Sequence, residues 1–281
     1  MDELPCACRA NENCGGSRLL LFQGLMAVFS LFVTGAGDTA TLRFPAGVWE
    51  VSQVAVDRRD QPHWDLEPND PRLLGRHLTI SSAGELGYND GSVPCTGAKW
   101  KSRGTTTLSK LVEAEFPRPR QAGRPKEPTL ADFELVSREN TVAIYAIECA
   151  AGNSDAENRS HNFWRASWLA SARPRVMYAK YGSGSLLVLS LVTKESAPKA
   201  SFRCGNDMLP SEVAICGSDG LAAYDRSVAA AIRRSVQRNP SQEKSIRADQ
   251  KGWLVTRNQC GTDAVCLEEK MRDRIDLLMQ R

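Results

Sequence analysis

The chain has 281 residues, enough for one large domain or two small ones. Hydrophobic residues make up 42% and charged residues 25%, so the chain can bury a core and is not disordered in composition. A net charge of +3 is too mild for a nucleic-acid binder without a clustered basic face, and the three histidines (His63, His77, His161) leave few general bases or metal ligands.

Arg18 precedes an apolar run, Leu19–Val33, that is short of the roughly 20 residues a bilayer span needs. Thr34-Gly35-Ala36-Gly37 then supplies the small residues a signal peptidase accepts. These features predict a secretory signal over residues 1–37, cut after about Gly37 or after Ala40, and a periplasmic or secreted mature chain with no stable membrane span after cleavage. An uncleaved N-terminal anchor is the alternative. The stretch before Arg18 begins acidic (Asp2, Glu3) and holds Cys6, Cys8 and Cys14, unlike a basic leader, which allows a start downstream of Met1.

Removing residues 1–37 leaves Cys95, Cys149, Cys204, Cys216, Cys260 and Cys266. An even number in an exported chain reads as disulfides, and the spacings, with no histidine nearby, do not fit zinc. No metal and no cofactor is expected. Cys95 and Cys149 lie together in the first part and are expected to pair. The other four allow three connectivities. Cys204–Cys216 with Cys260–Cys266 is favoured, because each pair brackets a short turn-forming segment. Cys216–Cys260 with Cys204–Cys266 stays open, because a helical hairpin would bring those ends together.

From Leu42 to Val192 the pattern is mostly β. Strands are predicted at Val48–Val56, Arg76–Ser81, Thr141–Cys149, Phe163–Leu169, Arg175–Lys180 and Ser185–Val192. Asn89-Asp90-Gly91 and Gly182-Ser183-Gly184 supply turns. Thr107 can cap a helix over Leu108–Phe116, and Pro117–Pro128 reads as an exposed loop. The aromatic and acidic stretch His63–Pro71 reads as a structured loop with a buried Trp, or as the mouth of a ligand cup.

Ser196-Ala197-Pro198-Lys199 marks a linker, and beyond it the period turns helical. Pro210–Cys216 is a short helix. Gly220–Arg238 carries Leu221, Asp225, Val228, Ile232 and Val236 on one face. Ser241–Cys260 carries Ile246, Gln250, Trp253 and Arg257 along one stripe, ended by Gly261. Asp263–Arg281 offers Val265, Met271, Ile275 and Leu278. The fold class expected is α+β and multidomain: an N-terminal antiparallel β-barrel or sandwich over residues 38–200, followed by a small disulfide-braced α-helical hairpin domain over 201–281.

The short turn Asn239–Gln242 makes the two longer helices antiparallel, which sets Asp225 opposite Arg257. A charge on an inward stripe is costly unless paired, so the two read first as a structural clasp, with a bidentate contact possible. Trp253 reads first as a core aromatic. The functional reading keeps Gln250, Trp253 and Arg257 as a partly exposed patch for a partner protein.

Two resemblances add to this. Gly47-Val48-Trp49 at the first long strand resembles the start of lipocalin-like barrels, where the tryptophan closes the barrel floor; an ordinary core Trp after a Gly turn reads the same residues equally well. The order Cys204, Ser211-Glu212-Val213-Ala214-Ile215-Cys216, Leu221-x-x-x-Asp225, Arg247-Ala248-Asp249-Gln250-Lys251-Gly252-Trp253-x-x-x-Arg257-Asn258-x-Cys260 and Cys266-Leu267 resembles the LprI-like lysozyme inhibitor family of bacterial envelope proteins, over residues 201–281. That resemblance implies a small secreted helical domain with disulfides whose partner is a lysozyme or another cell-wall hydrolase. The large β-rich part in front departs from the family's minimal form. Alternatives are a small-molecule binder holding an apolar ligand in the β part, or an envelope interaction protein. No enzyme is expected, since no nucleophile elbow, phosphate loop or metal set is present in the sequence.

Overall fold

The computed structural model describes residues 44–59, 66–88, 94–117, 127–136, 141–149, 168–182 and 184–280. The expected signal segment, His63, Trp64 and Asp65, the turn at Asn89-Asp90-Gly91 and most of Pro117–Pro128 lie outside these residues.

The first strand shows how the sheet is made. β1 (Gly47–Val56) is rich in Val and alternates, but its register shifts between Val51 and Gln53. The extra residue of this bulge resets the alternation. Trp49 and Val51 point inward before it, and Val54 and Val56 after it, while Ala55 joins the outer cluster. β2 (His77–Ile80), β3 (Leu86–Tyr88), β4 (Lys99–Thr107), β5 (Thr141–Glu148), β6 (Leu169–Arg173), β7 (Val176–Tyr181) and β8 (Ser185–Leu191) complete an antiparallel sheet in the order β3-β2-β1-β8-β7-β6-β5-β4. Each strand except β3 and β4 pairs with both of its sequence neighbours, and β1 also pairs with β8. The sheet curls into a half-barrel whose seam falls between β3 and β4.

That seam is partly laced. Leu86 and Cys95 exchange backbone hydrogen bonds of 3.2 and 2.9 Å, and Trp100 Nε1 donates to the Gly84 carbonyl at 2.8 Å. Cys95 is bonded to Cys149, just past β5. Inside the curl, Trp49, Leu78, Leu169, Met177, Leu187 and Leu189 are fully buried. Trp49 donates Nε1 to the Pro45 carbonyl and meets Phe44 edge to face. The outer face is covered by α1 (Leu108–Glu115), capped by Thr107, and by a single turn at Leu130–Phe133. Leu111, Val112, Phe116 and Phe133 pack there on Ile144, Trp168 and Leu186.

β3 and β4 were not foreseen; of the strand expected at Phe163–Leu169, residues 163–167 lie outside the described residues, and β6 runs over Leu169–Arg173. β4 escapes a hydrophobic reading because it is an edge strand in which Trp100 is the one apolar side chain.

The helical region comprises α2 (Pro210–Cys216), α3 (Asp219–Arg238), α4 (Glu243–Asn258) and α5 (Ala264–Gln280). Its core is Leu221, Tyr224, Val228 and Ala231 of α3 against Leu267, Met271, Ile275 and Leu278 of α5. The main helix pair is thus α3 with α5, not the α3–α4 hairpin alone. The reason lies in the stripes. That of α5 buries four apolar side chains, Leu267, Met271, Ile275 and Leu278, beside Arg274, whereas α4 buries only Ile246 and Arg257. Val265, expected on the buried face, is 68% exposed, and Leu267 takes that place. Cys204–Cys216 and Cys260–Cys266 are the two bridges of this region.

Helices and sheet share one compact unit over residues 40–281. The loop from Glu67 to Arg76 lies along α3. Ser227 Oγ donates to the Leu74 carbonyl at 2.7 Å, Arg234 to Glu67 at 2.8 Å, and Arg238 also pairs with Glu67. Arg76 stacks on the Tyr224 ring at 3.8 Å. Glu50 of β1 takes Arg226 of α3 at 2.7 Å and lies 3.6 Å from His77 Nε2.

Candidate functional site

The residues singled out on α4 line its attachment to the rest of the helical region. Gln250 accepts a hydrogen bond from Arg274 Nε of α5 at 2.9 Å. Trp253 is half-buried, with the guanidinium of Arg257 at 5.6 Å and that of Arg274 at 5.8 Å from its ring, a double cation–π arrangement. Arg257 is only 3% exposed. Four turns of helix with little apolar surface are therefore fastened by polar contacts at 3.6-residue spacing.

Asp225 and Arg257 meet, but not as a fork. Arg257 Nη1 lies 3.4 Å from Asp225 Oδ1, while Nη2 and Nε donate to the Asn258 side-chain oxygen at 2.9 and 3.2 Å. The other Asp225 oxygen accepts the Ser201 backbone N–H at 2.6 Å, and Ser211 Oγ donates to Asn258 Oδ1 at 2.9 Å. The cluster ties the linker, α2, α3 and α4 together. Burial pulls the Arg257 guanidinium below its ordinary value, against the opposing pull of Asp225 and Glu212, yet an arginine stays charged. Asn258 and Ser211 were missed as cluster members; both stand in the quoted sequence pattern, but nothing in spacing marks a side chain that serves as acceptor for its own neighbour.

This geometry removes Arg257 from any exposed patch and leaves Gln250 and Trp253 half-covered. The exposed apolar side chains of the helical region lie elsewhere. Leu277 is exposed near the end of α5, away from the bridges, whereas Leu209 and Val213 stand inside the loop closed by Cys204–Cys216, Val255 on the last turns of α4, and Val265 beside Cys266. The Ser211–Asn258 contact holds the start of α2 beside the end of α4, so Leu209, Val213, Val255 and Val265 share the end of the region that carries both bridges.

Among the described residues, no cluster of three or more His, Cys, Asp or Glu could hold a metal ion, and no helix is long and apolar enough to cross a membrane. Compared with known protein families, curated proteins and solved structures, the chain matches no family model, no curated protein and no solved structure.

Proposed function

We propose that this protein is an exported interaction protein that binds and inhibits a lysozyme or a related cell-wall hydrolase through the bridged end of its helical region. The observation that carries the reading is the exposure of Leu209, Val213, Val255 and Val265 around two covalently braced turns. The LprI-like order of residues over 201–281 supports it. Rigid turns lose little entropy on binding and so suit insertion into a cleft. A lysozyme cleft holds two carboxylates that must stay accessible to sugar, and a seated turn denies that access.

The cup reading has less support, because the inner face of the sheet is filled by its own Trp49, Leu78, Met177, Leu187 and Leu189. No catalytic step is assigned to the protein. The test is peptidoglycan turnover by a panel of lysozymes with the whole chain present, and with Leu209→Asp and Val213→Asp variants. Slowed turnover that both variants relieve is the expected result. Undiminished turnover for every enzyme at micromolar protein overturns the reading.

A further inference from the structure

We propose that the surface around Leu209, Val213, Val255 and Val265 is built to receive a basic protein; the proposal rests on the inhibitor reading and names the charge of its partner. Residues 203–281 hold thirteen Lys or Arg and eleven Asp or Glu, a nearly neutral sum. That sum conceals a segregation. In the half with the bridges, residues 201–225 and 254–270, Asp207, Glu212, Asp219, Asp263 and Glu269 outnumber Arg203 and Lys270, once the Asp225–Arg257 and Glu268–Arg272 pairs are set aside. The far half, residues 226–253 and 271–281, carries ten Lys or Arg and four Asp or Glu.

The two halves are two physical ends. α3 runs away from the bridges, α4 returns, and α5 runs away again: Asp225 meets Arg257 and Tyr224 meets Glu268 near one end, and Arg238 meets the Met279 carbonyl at the other. Along α3 the positive charge is turned toward the sheet and its loop: Arg226, next to Asp225, pairs with Glu50, and Arg234 and Arg238, toward the far end, pair with Glu67. Among the ion pairs of the described residues, none joins Asp207, Glu212, Asp219, Asp263 or Glu269 to the sheet. The bridged end therefore presents exposed apolar side chains inside a rim of net negative charge, and Asp207, Asp219, Asp263 and Glu269 of that rim are exposed. Apolar contact supplies affinity at such a surface, while the rim steers a positively charged partner and repels an acidic one.

The experiment measures binding of the full chain to a strongly basic lysozyme and to the same enzyme succinylated, so that its lysines carry carboxylates. Binding to the basic form should weaken at least tenfold between about 20 and about 200 mM salt, as surface charges are screened. It should be lost with the succinylated form. Asp207→Lys with Glu269→Lys should weaken it about tenfold through the association rate. The milder pair Asp207→Asn with Glu269→Gln should weaken it less, and unchanged circular dichroism melting shows both to be folded. Arg233→Glu, at the far end, should leave binding unaltered. Inhibition that is indifferent to salt, succinylation and charge reversal overturns this inference and leaves the inhibitor reading standing. Failure to bind or slow any lysozyme overturns both.

Discussion

A Cβ added at Gly75 would stand 3.0 Å from the Cβ of Ala223 and 3.1 Å from its carbonyl oxygen. Gly75 also has a φ of +73°, so backbone and space both require glycine there. The loop after β1 thus touches α3 at the backbone. Gly75→Ala should cost about 1–3 kcal/mol, combining left-handed strain with displacement of α3. The sheet and helices should also unfold together, in one transition seen alike by far-ultraviolet circular dichroism and by tryptophan fluorescence. Two separated transitions in urea would show the helical region to be independent of the loop.

Arg257→Ala should cost about 3–5 kcal/mol, because it leaves Asp225 buried with only the Ser201 N–H. Asn258→Ala should cost about 1–3 kcal/mol, since Arg257 and Ser211 both lose their acceptor. Replacing Asp225 and Arg257 together by apolar residues should cost less than Arg257→Ala alone. Denaturant midpoints of the four proteins decide this; losses under about 0.5 kcal/mol for the single changes would mean that solvent already satisfies these groups.

The three bridges close loops of 54, 12 and 6 residues. Chain entropy then ranks their stabilisation at about 4, 3 and 2 kcal/mol for Cys95–Cys149, Cys204–Cys216 and Cys260–Cys266. Paired Cys→Ala variants should lose stability in that order. Non-reducing peptide mapping should recover the same three pairs, and recovery of Cys216–Cys260 would contradict the arrangement.

Burial pushes the Glu50 carboxyl up, but the nearby His77 ring and the hydrogen-bonded charge of Arg226 outweigh burial and hold it below its ordinary value of 4.5. A carboxyl whose folded value is lowered contributes stability that is complete above 4.5 and fades as pH falls through the lower folded value. Asp276 has the opposite sign: burial raises it against the pull of Arg76 and Arg72, so it favours the folded state as it takes up a proton. Glu50→Gln should flatten the acid limb of the stability profile, and Asp276→Asn should raise stability slightly at neutral pH. An acid limb unchanged by Glu50→Gln would place the titrating groups elsewhere.

The helical region was the most legible part of the sequence. α3 and α5 follow from their period, and the pairing of Asp225 with Arg257 follows from two charges on inward stripes across a short turn. What periodicity cannot show is which helix provides the larger apolar face, so α5 was underrated as the partner of α3. In the β part the strands with hydrophobic runs were readable. β4 was not, because Lys99, Lys101 and Arg103 line it as an edge and a bulge at Ser102/Gly104 breaks its alternation. The stretch His63–Pro71 left a ligand mouth open as the alternative to a structured loop, because it mixes aromatic and acidic residues; of its acids Asp70 is answered locally by Arg72, while the arginines that answer Glu67 lie more than 160 residues away and could not be read from the segment.

The pairing of β1 with β8 sets the order in which the molecule can be assembled. Trp49 stands opposite Leu191, so the middle of the sheet is made by the strands furthest apart in the chain. A nascent chain can pair one edge of β1 with β2, but the other edge of this Val-rich segment stays unpaired until residue 191 has emerged. Such distant contacts make folding slow, and closure of the sheet waits until residue 191 of 281 has been made. During that interval β1 is an open template for strangers. Late closure of the sheet would suit the export proposed above, since a chain with β1 and β8 still apart remains open to threading.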